Sequence, residues 1–183
     1  ILNDVRSITL GEWTFGAGAG CNRFMMVTFG TGIGVSIILD GRIYRGVEGS
    51  HPEGGHHTIV LDEAEACWCG RHGCFEQMCS GRSIEVWAQS QRADKSYVSL
   101  KQMIELADQN DELSKRAIAR AGYHMGIGLS NLISIWAPEV LCLGGGIMKS
   151  ADCFLPAIKE QIALNCTLVP AEKVDIRLSK LGK

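Results

Sequence analysis

The chain has 183 residues, 46% of them hydrophobic, which suits one packed domain of ordinary size and argues against disorder. Its 18 basic and 20 acidic residues leave a net charge of −2 with no basic run, so nucleic acid and anionic membranes are poor partners. No apolar run approaches the ~18 residues that span a bilayer, and the N-terminus does not resemble a signal peptide. Eight cysteines then fit a reducing cytoplasm better than a disulfide framework, and the expected partner is a small molecule.

The first predicted element is a helix that starts near Asp4 and stops at Gly16. Its apolar residues are spaced so that they allow one buried face: Val5, Ile8, Leu10, Trp13 and Phe15. Asp4 at the helix start is explained equally well as an N-cap and as a residue with a chemical role.

Two strands follow, joined by a glycine loop. The apolar runs 24–29 and 35–39 predict the strands, and Asp40-Gly41 predicts a hairpin turn after them. The loop, Gly30-Thr31-Gly32-Ile33-Gly34, leads into a strand, whereas a Rossmann fingerprint or a P-loop opens a helix. It can still offer amides and a threonine hydroxyl to phosphate oxygens, with a plain tight turn as the alternative.

Three cysteines, Cys67, Cys69 and Cys74, lie in a stretch too polar and too rich in glycine to be a core element. Gly70 and Gly73 permit the positive-φ turns that would aim all three sulfurs at one point. This spacing favours a structural zinc site over buried free thiols, and a CxC pair is not the CxxC of thioredoxin-like redox sites.

A tetrahedral zinc site needs a fourth ligand, and the nearby candidates are His56, His57, His72 and Cys79. We favour His56, because the ten residues before Cys67 let the chain return to the metal, whereas His72 would strain the turn between its flanking cysteines. The irregular loop 46–58 also carries Glu53, and a zinc turn would anchor such polar residues rigidly.

The second half of the chain predicts a helical layer and two more strands. Helices are predicted over 83–91, 100–110, 112–136 and 154–164, and strands over 139–143 and 174–178. Gly122, Gly126 and Gly128 are expected to let a neighbouring element pack closely. Three glycines, 144–146, follow the first of these strands and permit close approach of a ligand or a helix.

Taken in order, these motifs resemble the ROK family, which joins repressors and sugar kinases. The motifs are Asn3-Asp4, Gly30-Thr-Gly-Ile-Gly34, Glu53-x-Gly-His56, Cys67-x-Cys-Gly-x-x-Gly-Cys-x-Glu76 and Leu143-Gly-Gly-Gly146. The resemblance covers nearly the whole chain and is most specific in the histidine and cysteine pattern. This sequence departs from the family pattern at Val35 and Ser36, where the family usually has glycines. It departs again at Pro52, which replaces a common glycine before the glutamate.

The resemblance implies an α/β fold of the actin- and hexokinase-like, ribonuclease H-like ATPase class, carrying a zinc-binding loop. Residues 1–183 would form the large lobe of a kinase that closes on a sugar and ATP. An N-terminal lobe with its own phosphate loop and a returning C-terminal helix would lie outside this sequence. The isolated chain is therefore expected to be poorly active or inactive, and relatives often pair as homodimers.

The same resemblance assigns roles to individual residues. Asp4 would be the catalytic base, and the sugar would be bound by Asn3, Glu53, His56 and Glu76. The metal ligands would be His56, Cys67, Cys69 and Cys74. Thr31 and Gly32 would face the phosphates of ATP, which is used with Mg²⁺, while Gly144 and Gly145 would pass close to its adenosine.

The sequence is compatible with three functions. A kinase of a glucose-like hexose is favoured, because Asp4 and the glycine loop are both intact. A sugar-sensing transcriptional regulator would place its DNA-binding domain outside this chain. A zinc-stabilised interaction module would have no affinity for sugars. The sequence leaves the identity of the hexose open.

Overall fold

Five strands form one mixed sheet in the order β3-β2-β1-β4-β5 in the computed structural model, which describes residues 4–61 and 66–182. The strands are β1 (Phe24–Phe29), β2 (Ile33–Leu39), β3 (Arg42–Ile43), β4 (Val140–Gly144) and β5 (Asp175–Leu178). The first three strands are antiparallel, and β1, β4 and β5 are mutually parallel. Asp40 and Gly41 have φ of 48° and 73°, the positive values of the predicted hairpin turn.

Helices supply the layers around this sheet. They are α1 (Asp4–Phe15), α2 (Phe75–Cys79), α3 (Gly81–Gln91), α4 (Leu100–Asp108), α5 (Glu112–Trp136) and α6 (Leu155–Asn165). The predicted helices are confirmed with small shifts of their ends; α3, for example, begins two residues early because the Ser80 side chain caps it. Over the described ranges, no helix combines the length and the apolar character that a membrane crossing requires.

Alternate residues of the central strand enter two separate cores. Met25, Val27 and Phe29 belong to the larger core, which the helices of the second half cover. Phe24 and Met26 point to the opposite face, where Leu10 and Trp13 of α1 pack on them. The period of two along a strand explains why this run is apolar throughout, since both faces are buried.

The long helix α5 carries the predicted close-packing glycines. A Cβ on Gly122 would lie 3.0 Å from the Cβ of Ala157, and one on Gly126 would lie 2.4 Å from that of Gln161, both on α6. Gly128 instead accommodates the ring of Phe75 on α2, which a Cβ would meet at 2.3 Å. The expectation of close packing is confirmed, and it places α2, which carries Glu76, directly against α5.

The bounds predicted for α1 are right, but the predicted buried face is wrong. Its buried residues are Arg6, Thr9 and Glu12, while Ile8 is 44% and Phe15 80% exposed. Polar residues can face inward here because they have partners; the Arg6 guanidinium, for instance, donates to the carbonyl of Gly49 at 2.6 Å. A hydrophobic periodicity cannot foresee such partners.

Glu12 ties α1 to the chain that follows β5. One carboxylate oxygen accepts from the amide of Ala17 at 2.8 Å. The other accepts from the Ser179 hydroxyl and from the amides of Lys180 and Leu181 at 2.5–2.8 Å. Burial alone raises the pKa of Glu12, but these hydrogen bonds outweigh it and bring the pKa below its ordinary value of 4.5.

Replacing this carboxylate tests its structural role. Glu12→Gln turns an amide N–H₂ toward amides that need an acceptor, so we expect a loss of about 2 kcal/mol at neutral pH in urea denaturation. Because the folded-state pKa is lowered, this contribution is present above the unfolded pKa of about 4.5 and is lost as the pH falls below it. Glu160→Gln, at an exposed position of α6, is the matched control. Equal stability of both variants at neutral pH would contradict this role.

Candidate metal centre and ligand pockets

Four ligand atoms converge beside α2. The ring of His56 and the sulfurs of Cys67, Cys69 and Cys74 all lie within 4.8 Å of one another. Nδ1 of His56 is 3.6 Å from the Cys67 sulfur, and the sulfurs of Cys69 and Cys74 are 3.6 Å apart. Zinc bonds of ~2.0–2.3 Å in a tetrahedron place neighbouring ligand atoms ~3.6–3.8 Å apart, so the group is compatible with zinc.

Local backbone geometry produces this convergence. Gly70 and Gly73 have φ of 86° and 65°, as the predicted tight turns require. The amide of Cys67 donates to the carbonyl of Arg71 at 2.7 Å, which closes a turn that contains Cys69. An isolated bridge pairs Thr58 with Cys74 and brings the histidine segment alongside.

The other three candidate ligands are directed elsewhere. His57 contacts the carbonyl of Gly54 through Nδ1, and burial lowers its pKa. His72 is exposed on the turn. Cys79 is fully buried in the larger core, where burial raises its pKa well above the ordinary value. The structure therefore groups the cysteines with His56, the residue that we favoured from the sequence.

The thiols of this group are not equivalent. Burial raises the pKa of Cys67, and burial together with the neighbouring sulfurs raises that of Cys74 to about 12. Cys69 has a lowered pKa, chiefly because the backbone amide of Arg71 donates to it. Three adjacent thiolates need a cation to neutralise them, and a coordinated Zn²⁺ deprotonates its thiol ligands.

Glu76 joins this cysteine turn to the glycine loop. Its Oε2 accepts from the amide of Ile33 at 2.8 Å, and its Oε1 accepts from the indole Nε1 of Trp68 at 2.7 Å. A Cβ on Gly32 would lie only 2.5 Å from Oε2, so the carboxylate can approach the loop only because glycine stands there.

Glu53 and His56 reach the same place from the other side. Glu53 precedes the 3₁₀ turn Gly54–His56 and His56 ends it, and this turn packs on β2. A Cβ on Gly55 would lie 2.2 Å from the carbonyl oxygen of Ile33, so any residue other than glycine at this position would clash with β2. Glu53 is exposed at the start of the turn, with its carboxylate 3.5 Å from Nδ1 of His51.

Asp4 is the first residue of α1 and is exposed. The next residue, Val5, lies against Gly34, where a Cβ would meet its Cγ2 at 2.4 Å. Asp4 is therefore held near the start of β2, as Glu53, His56 and Glu76 are. Asn3, the predicted sugar-binding neighbour of Asp4, lies outside the described residues.

Two cavities meet at the glycine loop. One, of about 710 Å³, is lined by Gly32, Trp68 and Glu76, and the other, of about 900 Å³, by Gly30, Gly146 and α4 residues. Thr31 and Arg82 line both cavities. Sequence reasoning named Gly146 among the three glycines after β4, but it did not single out Trp68 or Arg82. Trp68 stands inside the cysteine motif and Arg82 stands six residues beyond it, and both are exposed in the structure.

The predicted adenosine glycines lie slightly apart from this junction. Gly144 and Gly145 line a third cavity of about 400 Å³, which shares Lys149 with the 900 Å³ cavity. Gly145 has φ of 91°, and a Cβ there would lie 2.3 Å from the carbonyl oxygen of Phe29. The close approach that this glycine permits is thus to β1, and Gly146 is the residue on the larger cavity.

Known proteins share both this sequence and this fold. The profile of the ROK family matches residues 1–183. Glucokinase from Halalkalibacterium halodurans is 32% identical over 98% of this chain and 58% of its own length. The xylose repressor of Bacillus spizizenii is 30% identical over 100% of this chain and 47% of its own length. A crystal structure of a ROK family glucokinase from Streptomyces griseus, in complex with glucose and AMPPNP, has a TM-score of 0.86 at 27% identity, covering 100% of this chain and 63% of that one.

The superposition and the mixed sheet identify an actin-like ATPase fold of the hexokinase class, which confirms the expected α/β architecture. Within that class, the chain belongs to the ROK family. It spans less than two thirds of the length of the relatives that it matches.

Metal analysis tests the centre. We expect about one zinc ion per chain by mass spectrometry, and Cys69→Ser should lower zinc affinity more than about tenfold because one of four ligands is lost. Cys153→Ser is the matched control, since Cys153 is exposed and outside the group. Wild-type protein purified without zinc, and unable to take it up, would contradict this prediction.

Proposed function

We propose that the full-length protein is an ATP-dependent kinase of a glucose-like hexose. The observation that carries this proposal is that the three segments bearing Asp4, Glu53 with His56, and Glu76 all contact the glycine loop or the first residues of β2. Phosphoryl transfer requires an acceptor hydroxyl and a phosphate held side by side. Two cavities meet at the glycine loop, where Thr31 lines both of them and Glu76 lines one.

On the sugar side, the groups complement neighbouring hydroxyls. Glu53 and Glu76 are acceptors, and Asn3 adds an amide that donates and accepts. His56 turns Nδ1 toward the Cys67 sulfur, so with zinc bound its Nε2 carries the proton and can donate to a sugar oxygen. Zinc holds the loop in place and takes no part in the chemistry.

Asp4 acts as the base that accepts the proton of the attacking hydroxyl. Asp4 is exposed at the start of α1, so a substrate can reach it. Thr31 and Gly32 offer a hydroxyl and an amide to the phosphates at the place where the two cavities meet. ATP arrives with Mg²⁺, which neutralises the charge of its phosphates.

A sugar-sensing regulator is the second candidate, because the xylose repressor matches this chain as fully as the glucokinase does. A regulator would use the same sugar pocket and would have no need of Asp4 as a base.

Homodimer formation, a cytoplasmic location and the absence of a nucleic-acid partner stay predictions for this chain.

A panel of hexoses separates the two candidates. We expect the full-length protein to phosphorylate glucose with the highest kcat/KM, compared with fructose, mannose and N-acetylated hexosamines in a coupled ATPase assay. Sugar-dependent binding to DNA without any phosphoryl transfer would establish the regulator instead.

Asp4→Asn in the full-length protein tests the base. We expect kcat to fall about 10²- to 10⁴-fold, because the amide cannot accept the proton, while sugar affinity by calorimetry changes little. Asp108→Asn, at an exposed position at the end of α4, should leave kcat unchanged. Unchanged kcat in the Asp4 variant would remove this residue from the mechanism.

A further inference from the structure

Trp68 is a large aromatic residue that neither the core nor the metal explains. It stands between two cysteines of the metal group, yet 79% of it is exposed. Large apolar side chains of a folded domain stabilise it by burial, and this one buries little. A residue needed only to close the turn between Cys67 and Cys69 could be small, so the indole calls for another explanation.

The indole is nevertheless held in one orientation. Its Nε1 donates to Oε1 of Glu76 at 2.7 Å, and its ring meets the ring of His56 edge-on, with centroids 4.8 Å apart at 85°. Both partners are residues of the proposed sugar site. An exposed indole fixed against two binding groups is preorganised, so a ligand that packs on it loses little side-chain entropy.

The exposed ring also borders a cavity. Trp68, Glu76 and Gly32 line the space of about 710 Å³ that opens beside the glycine loop. This volume lies within the range of ~300–1,000 Å³ typical of small-molecule pockets. Among the described residues that line it, Trp68 contributes the one aromatic ring.

We propose that Trp68 is a further substrate-binding residue of the hexose site. Its ring packs on the C–H face of the sugar, while its Nε1 keeps Glu76 aimed at a hydroxyl. An aromatic side chain with an apolar body and one polar donor suits a ligand that has both kinds of surface. The class favoured is an aldohexopyranose with equatorial hydroxyls, whose ring presents C–H bonds on a face free of hydroxyl groups.

Glu76 can still accept a hydrogen bond from a sugar hydroxyl in this arrangement. Each of its carboxylate oxygens accepts one hydrogen bond from the protein, from Trp68 and from Ile33 respectively. Each oxygen can accept a second, so a sugar hydroxyl can be added without breaking either contact. Trp68 thus acts on the sugar directly and also as a positioning residue for Glu76.

The test compares Trp68→Phe and Trp68→Ala with wild type in the full-length protein. We expect Trp68→Ala to raise the KM for glucose about tenfold with little change in the KM for ATP, because ring contact and orientation are both lost. Trp68→Phe, which keeps a ring but lacks the donor, should lie between. Tyr123→Ala, a partly exposed aromatic position on α5, is the matched control, and zinc content is measured for each variant.

A second measurement does not depend on the alanine variant. The chain has four tryptophans, and the exposed Trp68 should report sugar binding by its fluorescence. We expect glucose to change the emission of wild type and not that of Trp68→Phe. An emission change that survives in Trp68→Phe, or an unchanged glucose KM in a zinc-loaded Trp68→Ala, overturns the inference.

The inference about Trp68 rests on the proposed sugar site. The experiments distinguish a failure of this inference from a failure of the proposed function. A wild-type protein that phosphorylates hexoses while the Trp68 variants match it removes Trp68 alone. A wild-type protein that neither phosphorylates a hexose nor changes emission with one overturns the proposed function and the inference together.

Discussion

The carboxylate of Glu76 is the contact on which the arrangement of the site depends. It receives the amide of Ile33 from the glycine loop and the indole of Trp68 from the cysteine turn, at 2.8 and 2.7 Å. Hydrogen bonds to a charged acceptor are the stronger kind, so this single group holds two loops in a fixed relation. The loop that is proposed to hold phosphate and the turn that is proposed to hold zinc therefore form one unit.

Glycines make that unit possible. Gly32, Gly34 and Gly55 each stand where a Cβ would come within 2.5 Å of a neighbouring atom, and the three neighbours are Glu76, Val5 and Ile33. The first residues of β2 are thereby surrounded at contact distance by three separate segments. The proposed sugar pocket would need such closeness, because sugar hydroxyls lie only a few ångströms apart and their partners must match that spacing.

The proposed zinc site would take the place of a hydrophobic core in ordering the segment that carries its ligands. The described residues of this segment, 46–61 and 66–74, contain little regular structure beyond two short 3₁₀ turns and isolated bridges. Such a segment buries little apolar surface, so covalent-strength bonds to a metal are an efficient way to order it. The binding groups can then be irregularly spaced and exposed, which a helix or a strand would not allow.

The sequence by itself determined the family motifs, the element order apart from the short helix α2 and the 3₁₀ turns, and the bounds of the predicted elements to within about two residues. It also predicted the cysteine and histidine group that the structure brings together. These follow from periodicity, turn chemistry and ligand spacing, which are local properties. It failed at α1, where Arg6 and Glu12 face inward, because the partners that satisfy them lie more than 40 residues away. Only the tertiary structure decided that Glu76 links Trp68 to the glycine loop and that Gly146 faces the larger cavity. Such contacts arise from packing between distant segments, and no local pattern records them.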